Sequence, residues 1–498
     1  MAPSFLTATR PARGPVWAVI VAALVVFGHA PSFIHRLQDS DEAIYGSIAA
    51  LMNVGGDLYS DGGVDNKPPG IFWVYATTFR LFGMYQMTAI HAVALLAVGA
   101  TCLLVFLAGR QLASPRAGVL AAIFYAASTA AGNPQLLGTN TELLMMVPLT
   151  ASVLLMLRRR WLWSGVLLVA AVAFKQVAAV NLLLFPAAIA LLEPRETRLR
   201  ASATFAGGLA SGLVIGTAML QLTGSLAGFW HWSVASLYGY ASANWAPDML
   251  WYRAQSSLPL FIVSTAAMWI AAIPLALRWN RLDASRRVIV VWLALSVVGS
   301  LAGGHLFWHY FVQVMAPLAL VAALAIDRAL ESSIRLNVAA LAGAGLALPL
   351  VGWTAFNVVA DPLTYDVRTP IEHQLVASYV RDHTHPQDRV FVWGDWPALY
   401  VESDRLMASR FPGFLRGFAR GSARPPRNWD TTADVWTDLQ SDLTRHPPAL
   451  IVDTAPAGWS DFRRYPMRNY PVVANLVEAK YRQVAVIDHV VIYRRNGP

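Results

Sequence analysis

Apolar residues in the first 360 positions gather into long unbroken runs, unlike the narrow stripe of a surface helix. Crossing a hydrocarbon core takes about 20 apolar residues as a helix. Runs at 15–34, 86–108, 117–132, 143–157, 161–175, 177–192, 201–222, 256–277, 288–304, 310–326 and 337–356 predict eleven membrane helices. The stretch 71–83 is too short to cross and carries Arg80, which predicts an interfacial helix. Beyond residue 360 the pattern changes to a polar helix near 370–383 and strands at 389–393, 449–453, 484–487 and 490–493, with a Gly-, Pro- and Arg-rich loop from Phe411 to Asn428. The predicted fold is a polytopic α-helical membrane protein with a small C-terminal α/β domain, divided as 1–360 and 361–498.

Composition agrees with that division. Of all residues 56% are hydrophobic and 13% charged, with a mean hydropathy of +0.46. A soluble domain carries about a quarter charged residues, so a water-soluble globule is excluded. Residues 361–498 hold 33 of the 67 charged side chains. The net charge of +9 forms no basic stripe with interleaved aromatics, which excludes nucleic acid as a partner. The lone Cys102 lies in an apolar run and excludes a disulfide scaffold or a thiolate metal cluster.

Charge also predicts orientation. Arg10, Arg13, Arg110, Arg116, Arg158 to Arg160, Arg195, Arg198, Arg200, Arg278, Arg281, Arg286, Arg287, Arg328 and Arg335 all fall on one side of an eleven-span chain. By the positive-inside rule that side is cytoplasmic, so residues 361–498 are expected outside, at the outer face of the cytoplasmic (inner) membrane. The first run shares features with a signal peptide, but Pro31 follows the cleavage-like Gly28-His29-Ala30, which favours a retained anchor.

Candidate chemistry concentrates in the first external loop, residues 35–85. Of the 13 acids in the membrane half, Asp39, Asp41, Glu42, Asp57, Asp61 and Asp65 lie there. Asp41 and Glu42 open a segment with helical apolar spacing, where Asp39 or Ser40 can cap the helix. Further on, Lys67-Pro68-Pro69 places a lysine on a stiffened chain. Only Lys67, Lys175 and Lys480 are lysines in this arginine-rich protein. A compact ammonium beside a pair of acids suits a lipid-borne phosphate, with the acids on the acceptor side.

An Asp-Glu after the first span, Lys-Pro-Pro before the second, many further spans and an external C-terminal domain resemble the GT-C superfamily of membrane glycosyltransferases. The resemblance is nearest to family 39, the protein O-mannosyltransferase and aminoarabinose-transferase-like branch. It implies that Asp41 is the general base toward the acceptor, with Glu42 its partner, and that Lys67 lies near the lipid phosphate. Glu142 is the acid expected in the second external loop. The branch's acid directly before Lys-Pro, which helps hold a metal, is replaced here by Asn66, so the metal ligands are unknown and a divalent metal stays possible.

Chemistry alone leads to the same assignment. Transfer from a polyprenyl-phosphate sugar needs a base for the acceptor hydroxyl and cations where the leaving phosphate develops charge. Asp41 can serve the first need; Lys67, Lys175, Arg253, His305 and His309 can serve the second. Lys175 inside apolar sequence is itself a functional-site hypothesis, with snorkelling as the alternative. The aromatic residues Trp230, Trp232, Tyr238, Tyr240, Trp245, Trp251 and Tyr252 predict an interfacial belt.

The expected activity is therefore an inverting glycosyltransferase, with a polyprenyl-phosphate-sugar donor, a lipid, glycan or protein acceptor, and membrane lipids as surroundings. A polytopic transporter would carry mid-membrane charges and inverted repeats, and an O-antigen polymerase or ligase would concentrate arginine and histidine in one long external loop. Neither pattern is present.

Overall fold

A computed structural model describes residues 14–131, 134–235, 247–304, 306–330, 335–355, 371–413 and 434–497. In chain order the first helices are α1 (Gly14–His29), α2 (Ser40–Asn53), α3 (Gly70–Phe82), α4 (Met87–Leu112), α5 (Pro115–Thr129), α6 (Pro134–Leu137), α7 (Thr141–Leu157), α8 (Trp161–Val172), α9 (Leu184–Leu192) and α10 (Arg198–Leu222). A 3-10 stretch, Gln176–Leu183, joins α8 to α9. Helices Pro247–Leu277, Ala284–Leu301, Val312–Ala329 and Arg335–Thr354 complete the bundle.

Each of the eleven predicted spans contains helix among its described residues, with Gln176–Leu183 in the 3-10 form. Seven described helices are long and apolar enough to cross a bilayer, and Thr141–Leu157, Trp161–Val172, Gln176–Leu192 and Pro115–Thr129 are shorter. At 1.5 Å rise per residue, α4 with its 26 residues extends about 39 Å, whereas α8 stops early because the chain turns extended at Lys175. Val312–Ala329 is enclosed along almost its whole length at the centre of the bundle. Arg198–Leu222 instead leaves Leu213, Val214, Ile215 and Leu222 exposed, the face a lipid would cover.

The C-terminal region forms a five-stranded sheet in the order β2-β1-β3-β5-β4. Its strands are β1 (Arg389–Trp393), β2 (Leu406–Met407), β3 (Leu450–Asp453), β4 (Tyr481–Ile487) and β5 (Val490–Arg495). β1 runs parallel to β2 and β3, and β5 runs antiparallel to β3 and β4. The four predicted strands are present; β2 is too short to carry a readable alternation. The predicted division at 360/361, the side chain of Arg335 and most of the Phe411 to Asn428 loop lie outside the described residues.

Two hydrophobic cores result. One fills the bundle, from Cys102 and Phe124 to Trp292 and Leu320. The other is shared between the first loop and the sheet: Tyr45, Ile48, Phe72 and Phe79 belong to the same apolar cluster as Phe391, Trp393 and Val401. The first loop and the C-terminal sheet therefore lie on one side of the bundle. Arg36 pairs with Asp404 there, and the Tyr85 hydroxyl donates to the Arg405 carbonyl at 3.0 Å.

Candidate active site

The site begins at the start of α2. Asp39 caps the helix, accepting from the Glu42 amide at 2.9 Å, and its other oxygen accepts from Asn140 Nδ2 at 2.8 Å. Burial, together with the nearby Asp41 and Glu42 carboxylates, holds the Asp39 carboxyl well above its ordinary range. Glu42 is fully enclosed. Its carboxylate accepts from the Gln38 and Thr139 amides, each at 2.7 Å, and meets His91 Nε2 at 3.1 Å. The Thr139 and His91 contacts tie α2 to the turn before α7 and to α4, and the Gln38 bond closes the chain just before the helix, so Glu42 faces the scaffold.

Asp41 faces the other way. It is half-buried, and Tyr45, one turn along α2, donates its hydroxyl to Asp41 Oδ2 at 3.2 Å. The Tyr45 phenol is held well above its ordinary range by burial and then by the surrounding Asp41, Asp65, Glu142 and Asp39 carboxylates, so it remains a donor.

Lys67 approaches the same ring from the loop before α3. Its Nζ lies 5.9 Å from the Tyr45 ring centroid and 3.7 Å from Asp65 Oδ1, while Asp65 also accepts from the Lys67 amide at 2.9 Å. Tyr59 donates its hydroxyl to the Lys67 carbonyl at 2.7 Å. Two residues beyond Pro68, Gly70 lies against the end of α8, its amide donating to Ala173 O at 2.8 Å. A Cβ at Gly70 would sit 2.6 Å from that oxygen, so the close approach requires glycine. Gln176 Nε2 reinforces this docking by donating to Asn66 O at 2.6 Å and to Ser233 O at 3.1 Å.

The break after α8 supplies the third part, which is enclosed. Lys175, extended at the start of the 3-10 stretch, pairs with Glu142 in the first turn of α7. Its Nζ also lies 3.7 Å from the Tyr310 ring centroid. Glu142 accepts from Thr141 Oγ1 at 2.6 Å and lies 3.6 Å from His309 Nε2. Asp41 and Lys67 are both near enough to act electrostatically on Lys175 and on His309. Arg253 stands at the rim, 5.9 Å over the Phe307 ring, which stacks on His309 at 5.7 Å.

Asp41, Lys67, Glu142, Lys175 and His309 thus converge from five separate segments. Glu42 turns away into the scaffold, and His305 lies outside the described residues. Among the described residues no group of three or more His, Cys, Asp or Glu side chains is placed to hold a metal ion. Of the aromatic belt, Trp230 and Trp251 are exposed, whereas Trp232 is buried against Phe411; Tyr238, Tyr240, Trp245 and the Tyr252 side chain lie outside the described residues. The sequence pattern does not mark Tyr45, His91 or Tyr310 as site residues. Tyr45 had a readable signal, since it follows Asp41 by four residues on a helix.

Residues 66–221 match the family described as dolichyl-phosphate-mannose-protein mannosyltransferase. No curated protein matches the sequence at a significant level. Among solved structures, ArnT from Cupriavidus metallidurans bound to undecaprenyl phosphate superposes with a TM-score of 0.65 at 15% identity, over 98% of this chain and 100% of that one. The oligosaccharyltransferase AglB from Archaeoglobus fulgidus, in complex with an inhibitory peptide and a dolichol-phosphate, gives 0.56 at 12% identity, over 94% of this chain and 72% of that one. Arabinofuranosyltransferase AftD from Mycobacteria gives 0.54 at 16% identity, over 98% of this chain and 40% of that one.

Proposed function

The chain has the GT-C fold, and from that premise we propose that it is a multi-pass membrane glycosyltransferase moving a sugar from a polyprenyl-phosphate donor to an acceptor hydroxyl, with inversion. The convergence of the half-buried Asp41 with Lys67 and Lys175 carries this reading. ArnT and AglB, solved with a polyprenyl phosphate bound, support the donor class.

In the proposed reaction the acceptor oxygen attacks the anomeric carbon and its proton passes to Asp41. The bond from that carbon to the phosphate oxygen breaks, and the electron pair leaves with the polyprenyl phosphate. Lys67, with Lys175 behind it, stabilises the charge gathering on the leaving phosphate. Tyr45 orients Asp41 through its hydrogen bond. Glu142 serves as the counter-charge that keeps Lys175 ionised in its enclosed position, in place of the direct catalytic part expected for it. Glu42 holds the helix that presents Asp41. Arg253 and His309 border the phosphate side. The transporter and polymerase readings have no comparable support, because the charges meet at span ends around one cluster.

The reaction would take place at the outer face of the cytoplasmic membrane, the side the arginine distribution assigns to the first loop. Lipid and glycan profiles of cells lacking the protein test the function. Accumulation of one polyprenyl-phosphate sugar together with loss of one sugar from an envelope glycan, lipid or protein is expected; an unchanged profile overturns it.

A further inference from the structure

The segment after β2, Ser409 to Phe411, leaves the sheet and touches two segments beside the candidate site, at Val64 and at Trp232. Arg410 O accepts from the Val64 amide at 3.0 Å, three residues before Lys67. The Arg410 side chain is anchored within the C-terminal region: Nε and Nη2 donate to Asp442 at 3.0 and 2.8 Å, and Nη1 lies 3.1 Å from Asp438. Asp442 Oδ2 also accepts from the Arg410 amide at 2.9 Å. The next residue, Phe411, is buried with its ring edge-on to Trp232 at 6.3 Å.

Trp232 precedes Ser233, whose hydroxyl donates to Asn66 O at 3.3 Å and whose carbonyl accepts from Gln176. The segment therefore holds the Lys67 loop directly through Val64 and indirectly through Trp232 and Ser233, while Gln176 ties the same group to the break that carries Lys175. A buried aspartate on the helix Val435–Arg445 gripping the half-buried Arg410 forms a firmer support than a free surface loop, because bidentate pairing fixes the guanidinium plane.

We propose that Arg410 is a positioning residue for the donor-phosphate site: anchored by Asp442 and Asp438, it sets the height and angle at which the Lys67 loop meets the lipid phosphate. The C-terminal region is then a working part of the donor site. This inference rests on the reading of Lys67 as a phosphate-binding residue.

The test uses the full-length protein in nanodiscs with undecaprenyl phosphate as the probe, comparing Arg410→Ala, Asp442→Asn, Lys67→Ala and the double variant Arg410→Ala with Lys67→Ala. Arg410→Ala and Asp442→Asn are expected to weaken probe binding roughly tenfold, on the scale of one lost positioning interaction. In the Lys67→Ala background Arg410→Ala is expected to add almost nothing, whereas a general structural role would add its full loss. Hydrogen exchange at the Val64 amide supplies a second readout in the same samples, with protection lost in both anchor variants and kept in Lys67→Ala. Additive losses, or a Val64 amide that stays protected in Asp442→Asn, overturn the proposal. If Lys67→Ala itself leaves binding unchanged, the phosphate reading of the site fails first.

Discussion

Two helices of this protein begin alike and end up with opposite tasks. α2 starts Asp39-Ser40-Asp41-Glu42 and α7 starts Asn140-Thr141-Glu142, each with an Asx residue at the cap and an acid in the first turn. At α2 the structural work falls to Asp39 and Glu42, which accept backbone and side-chain donors, and Asp41 is left half-buried beside Tyr45. At α7 the acid is enclosed and neutralised by Lys175. The helix dipole favours carboxylates at both places. What separates them is the partner each carboxylate finds: a tyrosine hydroxyl on its own helix leaves Asp41 able to accept a proton, while a buried ammonium from another segment holds Glu142 ionised.

The comparison breaks most visibly at Glu142. Glu142→Gln strands the buried Lys175 charge and is expected to cost about 3–5 kcal/mol. Unfolding can be followed by labelling Cys102, the single and buried thiol, as it becomes exposed on heating. Combining Glu142→Gln with Lys175→Met should recover most of that stability, although not donor binding; no recovery would mean that the pair is not the source of the loss.

At Glu42 the expected cost is smaller. Glu42→Gln keeps one accepting oxygen but turns an amide NH2 toward a backbone donor, a loss of about 1–3 kcal/mol in the same unfolding measurement. Asp41→Asn sharpens the contrast, since its stability should change by less than about 1 kcal/mol. A large loss there would make Asp41 a scaffold residue like Glu42.

A carboxylate in the sheet offers a comparison with pH. Burial pushes the Asp453 carboxyl up to about 6, partly offset by the Ala455 amide. The folded state therefore binds this proton more tightly than the unfolded chain. Its contribution is most favourable below the ordinary carboxylate range, and stability falls as pH rises through about 6. The change amounts to about 3 kcal/mol at most. Asp453→Asn, which keeps the acceptor oxygen, should flatten the curve between pH 4 and pH 7, read by tryptophan emission on thermal unfolding.

The spans were legible in the sequence because lipid demands length and apolarity, and both are local properties. The cap at Asp39 and the strands β1, β3, β4 and β5 were legible for the same reason. The site was legible in part. Asp41, Lys67 and Lys175 stood out as charges in places where charge is costly or lysine is rare, but their meeting depends on Gly70 seating against Ala173 and on Gln176 reaching Asn66, contacts more than 100 residues apart. Glu42 and Asp41 are adjacent, and only the packing of Thr139 and His91 shows which one serves the fold. His91 had a signal of its own, a histidine inside an apolar span. The Arg410 anchor had none, because it depends on where the sheet docks.

The central claim is that Asp41 takes the acceptor proton while Lys67 and Lys175 hold the phosphate. Its most direct test is single-turnover transfer from a polyprenyl-phosphate sugar by Asp41→Asn protein in nanodiscs, with undecaprenyl phosphate binding measured on the same sample. The account predicts a fall in the chemical step of roughly 10²–10⁴-fold with phosphate binding retained, and transfer at the unsubstituted rate would contradict it.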